Sequence, residues 1–145
     1  MTFAHVALGL AVVALFAVAA LLGTWAWYRS ASGRAFWVVL RAGQAALVVQ
    51  ALLGGALLLS GRRAADLHLV YGLLGLGISF AAEQLRVSAA ETVLAARGHE
   101  SARAVGRLPA AEQRSVVMAI VRREVGVMAV AAAVIVVLAL RAWTS

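Results

Sequence analysis

Four stretches of the chain are almost unbroken apolar runs, and polar residues mark their ends. They cover about Phe3 to Tyr28, Ala35 to Leu59, Leu67 to Leu85, and Val125 to Trp143. Each holds roughly the 20 residues that a helix rising ~1.5 Å per residue needs to cross a ~30 Å hydrocarbon core. A segment inside lipid must satisfy its own backbone hydrogen bonds, so the runs read as helices. The pattern predicts an all-α protein: one integral membrane domain over 1–145, built as a four-helix bundle. The first run lacks a positive n-region and is too long for a cleaved signal; Arg29 comes only after it.

The polar positions set the orientation. Arg29 and Arg34 lie between the first two runs, and Arg86, Arg97, Arg103, Arg107, Arg114, Arg122 and Arg123 between the last two. The opposite side has Arg62, Arg63 and Arg141. The positive-inside rule puts the Arg-rich side in the cytoplasm and both termini outside, as in a multi-pass protein of the inner (plasma) membrane. Trp25, Trp27, Tyr28 and Trp37 fall where interfacial aromatic rings belong. The segment 86–124 reads as a cytoplasmic helical loop. It is expected to continue the third helix through VSAAETVLAAR, to turn at Gly98, and to restart after Pro109 as a short helix at the membrane surface or under the bundle.

Composition narrows the chemistry. Residues are 64% hydrophobic and 13% charged, with mean hydropathy +0.95, too apolar for a soluble domain of this size. The absence of cysteine excludes disulfides, thiol catalysis, zinc–thiolate and iron–sulfur sites and covalent haem attachment, leaving His as the good nitrogen ligand for a metal. The net charge of +7 lies in arginines at membrane interfaces, where they meet lipid headgroups; no basic stripe with interleaved aromatics points to nucleic acid. No phosphate loop, Ser/His/Asp constellation or carboxylate pair is visible, and independent catalytic activity is not expected.

Two of the three histidines share a frame: HVALG at His5 and HLVYG at His68. The first and third helices run in the same direction, so both histidines sit near the outer ends. Gly9 and Gly72 lie one turn deeper on the same faces. The repetition suggests two hairpins related by a pseudo-two-fold axis along the membrane normal. Two imidazoles facing each other across a bundle form a natural axial pair for haem b, and a glycine one turn away would clear the porphyrin edge. Arg62 and Arg63 are placed to neutralise the propionates. The competing reading treats the histidines as interface residues and the glycines as helix-packing positions. His99 lies in a charged loop and reads as solvated, and Asp66 reads as the N-cap of the third helix.

The run QALLGGALLLSGRRAADLHLVYG adds Gln50, Leu53, Gly54 and Gly55 ahead of His68. Together with HVALG it resembles one half of the haem A synthase family, whose four-helix halves carry a histidine in alternate helices and a Q-x-x-L-G element in the helix between. The resemblance implies haem ligation by His5 and His68, with Gln50 in the polar lining of the pocket. No glutamate precedes His5, where the family places an acid tied to its chemistry, so catalytic haem modification is not implied. From residue type alone, Gln50 reads first as an interhelical hydrogen-bonding group. Arg41 and Glu83, at equal depth near the cytoplasmic side, are expected to pair, with Gln44 on the face of Arg41; a quinone-headgroup or proton-linked site is the alternative there.

Two functions are compatible with these observations. The leading one is a small b-type haem protein with one bis-histidine haem near the outer face, serving electron transfer or haem handling. One haem does not span a bilayer, so a respiratory membrane complex or a quinol is the expected partner, beside lipid and other copies of the chain. The alternative is a cofactor-free accessory subunit of a larger membrane complex; a small transporter ranks behind both.

Overall fold

A computed structural model describes residues 2–31, 33–63 and 65–144. It is all-helical, with no strand among the described residues. Three long helices come first in chain order: α1 (Thr2–Tyr28), α2 (Arg34–Leu59) and α3 (Asp66–Val87). Two short ones follow, α4 (Ala89–Ala96) and α5 (Ala102–Val105), and α6 (Ala110–Thr144) closes the chain. α1, α2 and α6 are long and apolar enough to cross a membrane. α3 falls outside that group: its 22 residues include three glycines, His68 and Glu83.

α1 packs along α2 and α6, and α6 packs along α3, whereas α2 and α3 meet over a much shorter stretch. The core is apolar: Val12, Phe16 and Ala19 of α1, Phe36, Leu40 and Leu47 of α2, Ala82 of α3, and Val125, Met128, Ala132 and Ile135 of α6. Many large apolar side chains face outward instead, among them Leu21, Leu52, Leu73, Phe80 and Val137. Close approach of α1 to α6 depends on Gly23, where a Cβ would stand 2.7 Å from Ala129 Cβ and 2.7 Å from the Phe36 ring. Gly126 likewise makes room for the indole of Trp27.

Two points correct the sequence-based expectations. The segment after Pro109 is no separate surface helix. It is the first part of α6, which runs unbroken for 35 residues and is about 50 Å long at ~1.5 Å per residue. The Pro109 carbonyl accepts from the amides of Glu112 and Gln113, so the proline caps the helix rather than entering it. The start of α6 is held by a second small core of Val93, Val105 and Val116, built from α4, α5 and α6. The other point concerns Asp66, which is the first residue of α3 and makes no side-chain cap; the flanking position is Ala65. Its carboxylate in the first turn still opposes the positive end of the helix dipole.

The turn at Gly98 is as expected, with φ +71°. Gly61 ends α2 in the same way: at φ +83° it donates to Leu58 O while Arg62 donates to Leu57 O, the paired bonds of a Schellman ending. That turn brings Arg62 and Arg63 back over the end of the bundle.

Candidate functional site: a cavity between two histidines

The core cluster stops at Val12, Leu47 and Ile135. Beyond these residues, toward the start of α1 and the end of α6, the four long helices surround a cavity of about 690 Å³. Its volume is in the range of small-molecule sites. Its floor includes Val12, Leu47, Gly75 and Ile135, and its walls come from all four long helices. His5, Gly9, Gln50, Arg62, Arg63, His68 and Gly72 all line it. The seven residues singled out in sequence therefore converge on one space, although they are drawn from three helices and a loop.

The ring centroids of the two imidazoles lie 6.0 Å apart, with the planes inclined at 50°. Each has a different second partner. His68 sits in the first turn of α3, beside the last turn of α6. The Ala142 carbonyl of that turn lies 2.8 Å from His68 Nδ1. A carbonyl can only accept, so the His68 proton is on Nδ1 and the Nε2 lone pair is free. The neighbouring carbonyls of Leu140 and Arg141 are met by the Thr144 hydroxyl.

His5 is held otherwise. Its Nε2 lies 3.2 Å from the side-chain nitrogen of Gln50, while its Nδ1 and the Gln50 Oε1 are buried without a hydrogen-bond partner. Gly54, one turn from Gln50 on α2, leaves space for the ring: a Cβ there would stand 3.3 Å from His5 Cε1. Gly9 leaves space in the same way for the Gln50 amide, at 3.1 Å. The two glycines of the repeated frame thus differ. Gly9 is filled by Gln50, whereas nothing lies within 4 Å of a Cβ at Gly72.

At the other end of the bundle a second polar group joins α2 to α3. Glu83 accepts from Arg41 through both carboxylate oxygens, from Gln44 at 2.9 Å and from Arg86 Nε at 2.9 Å. Gln44 also reaches Ser79 Oγ at 3.2 Å and accepts from Arg41 at 2.7 Å. Arg41 and Arg86 lie 5.9 and 5.8 Å from the Trp37 ring centroid, at the outer limit of cation–π contact. The expected pair of Arg41 and Glu83, with Gln44, is present. Ser79 and Arg86 were missed, although Ser79, Glu83 and Arg86 fall at helical spacing on one face of α3. Ala142, the partner of His68, was also missed, because a backbone carbonyl leaves no mark in the residue types. His99 lies in the turn after α4, outside the cavity.

Comparison with protein-family models, curated proteins and solved structures finds no match for this chain.

Proposed function

We propose that this chain is a four-span membrane protein that holds one haem b between His5 and His68, near the outer face of the inner membrane. The arginine-rich end would then face the cytoplasm and both termini the outside. α3 counts as a fourth span in this reading, supported by the outward-facing Leu67, Val70, Leu73, Leu74 and Phe80 along its length. The single observation that carries the proposal is the nearness of the two imidazoles, 6.0 Å apart between ring centroids, on a largely apolar cavity of about 690 Å³.

The residues present fit the group. His5 and His68, with ring centroids 6.0 Å apart, would hold the iron through one imidazole nitrogen each. His68 has the arrangement typical of a ligating imidazole, with its other nitrogen donating to a carbonyl that fixes tautomer and ring orientation. Two side-chain nitrogens are half of a tetrahedral set, but they suffice for a metal that brings its other ligands in a macrocycle. Gly72 leaves the wall open beside His68, and Arg62 and Arg63 stand at the rim with charge suited to carboxylates. When bound, a haem supplies one-electron chemistry. The chain's own contribution is to fix two nitrogens, exclude water with apolar walls and balance anionic groups at the surface. Electron transfer, with a quinol or respiratory complex as partner, or haem handling follows from such a site.

The test is spectroscopic. Protein expressed with haem supply and purified in detergent should show the Soret and reduced α bands of a low-spin b haem. His5→Ala and His68→Ala should each abolish the low-spin signature. A folded, colourless preparation would reject the proposal. It would favour the cofactor-free accessory subunit, in which the bond from Gln50 to His5 merely closes α1 on α2.

A further inference from the structure

We infer that the two histidines are unequal: His68 is the permanent ligand, and His5 is a displaceable one that Gln50 competes for. The inference rests on the haem reading above and deepens it by assigning a positioning role to Gln50. A ligating imidazole needs one nitrogen with a free lone pair, and its other nitrogen is steadied by a hydrogen bond that leaves that lone pair alone. His68 meets both conditions, through the 2.8 Å bond of Nδ1 to Ala142 O.

His5 meets neither. With the Gln50 amide oriented as placed, its N–H donates to Nε2 and occupies that lone pair, 3.2 Å away. With the amide turned over, Oε1 accepts from Nε2–H, and Nε2 then carries the proton. Either way Nε2 is engaged. The remaining nitrogen, Nδ1, is enclosed without a partner, on the side of the ring next to Gly54. Gln50 in turn is held against α1 by the gap at Gly9, where no side chain competes with its amide. Ligation by His5 therefore requires the bond to Gln50 to break, whereas ligation by His68 breaks nothing.

A site with one firm and one exchangeable ligand has a coordination position that other molecules can reach. That property suits a protein that receives and passes on haem, or that binds a small neutral ligand, better than one that only relays electrons. It separates the two activities left open above in favour of haem handling.

The experiment uses the full-length haem-loaded protein in detergent and compares wild type with Gln50→Leu, Gln50→Ala, His5→Ala and His68→Ala. The readouts are haem content, spin state and affinity of the reduced form for carbon monoxide. His5→Ala should retain haem in a high-spin state, while His68→Ala should lose most of it. Gln50→Leu frees His5 to ligate, so the carbon monoxide affinity of the haem that is bound should fall about tenfold, the worth of one neutral hydrogen bond. Gln50→Ala, which vacates the same space, should shift affinity in the same direction, and helical circular dichroism checks that each variant folds. Equal loss of haem from the two histidine variants, or unaltered carbon monoxide affinity in both Gln50 variants, would overturn the asymmetry and leave the haem reading standing. A wild-type protein that takes up no haem would overturn both.

Discussion

The bundle has a polar group at each end, and the two are finished to different degrees. At the arginine end, Glu83, Arg41, Gln44, Ser79 and Arg86 satisfy one another, and each charge has a partner within the chain. At the histidine end, a buried imidazole nitrogen and a buried amide oxygen have none, and a cavity lies beside them. Unpaired polar atoms in an apolar setting are costly, so a completed network reads as structural and an incomplete one as a place for something else to bind. The contrast leaves the histidine end, not the Arg41 group, as the place where polar atoms and a cavity lie together.

The largest expected effect is on the completed group. Glu83→Ala removes one acceptor from Arg41, Arg86 and Gln44 at once, leaving two guanidiniums and an amide under-satisfied between α2 and α3. Breaking a buried charged network costs about 3–5 kcal/mol. The side chains here keep partial exposure, 22% for Glu83 and 48% for Arg41, so about 2–3 kcal/mol is expected after screening. Thermal unfolding in detergent should show it as a clear drop in midpoint. His5→Ala in haem-free protein should move the midpoint far less, because its one hydrogen bond is neutral. Equal losses would erase the distinction between the two ends.

Next in size is packing at the closed end. Gly23→Ala places a methyl group 2.7 Å from both Ala129 Cβ and the Phe36 ring, where the neighbours are short or themselves buried. Overpacking of this kind costs about 1–3 kcal/mol, and here α1 must shift off α6 to relieve it. Chemical or thermal unfolding of the single variant tests this directly.

How much of this was legible in sequence depends on the kind of signal. The long helices were written in apolar runs bounded by arginines, and the turn after α4 in Gly98. The convergence of His5 and His68 was legible because a repeated frame in parallel helices puts equal positions at equal depth. The continuity of α6 was not legible: PAAEQRSVVMAIVRREVG carries charges that a membrane span would exclude, and only the contact with Val93 and Val105 explains why the helix runs on beyond the apolar stretch. The partners of the histidines were half hidden. Gln50 and Gly54 stand four apart on one face of α2 and could have been read as a unit, whereas the Ala142 carbonyl belongs to no residue type at all.

A smaller effect is expected at the rim of the open end. Arg62 and Arg63 are exposed and line the cavity, so replacing both with Gln should leave stability unchanged and weaken haem retention about three- to tenfold. Screening makes the loss salt-dependent: wild type at high ionic strength should approach the variant, because exposed charges act over only about 8 Å at physiological salt. Haem transfer to a competing acceptor protein, measured at two salt concentrations, gives both numbers.

The smallest effect has the opposite sign from its counterpart at the closed end. Gly72 is helical, and a Cβ at this position meets nothing within 4 Å. Gly72→Ala should therefore gain about 0.5–1 kcal/mol from reduced backbone freedom without paying for a clash. Gly23→Ala, the same chemical change at the packed end, should lose more than that gain. Extending the side chain separates stability from binding: Gly72→Leu projects into the cavity, so the protein should remain as stable as wild type yet fail to take up haem. If Gly72→Leu instead destabilised the bundle and left haem uptake intact, the wall beside His68 would be a packing surface, and the open end would be no more a binding site than the closed one.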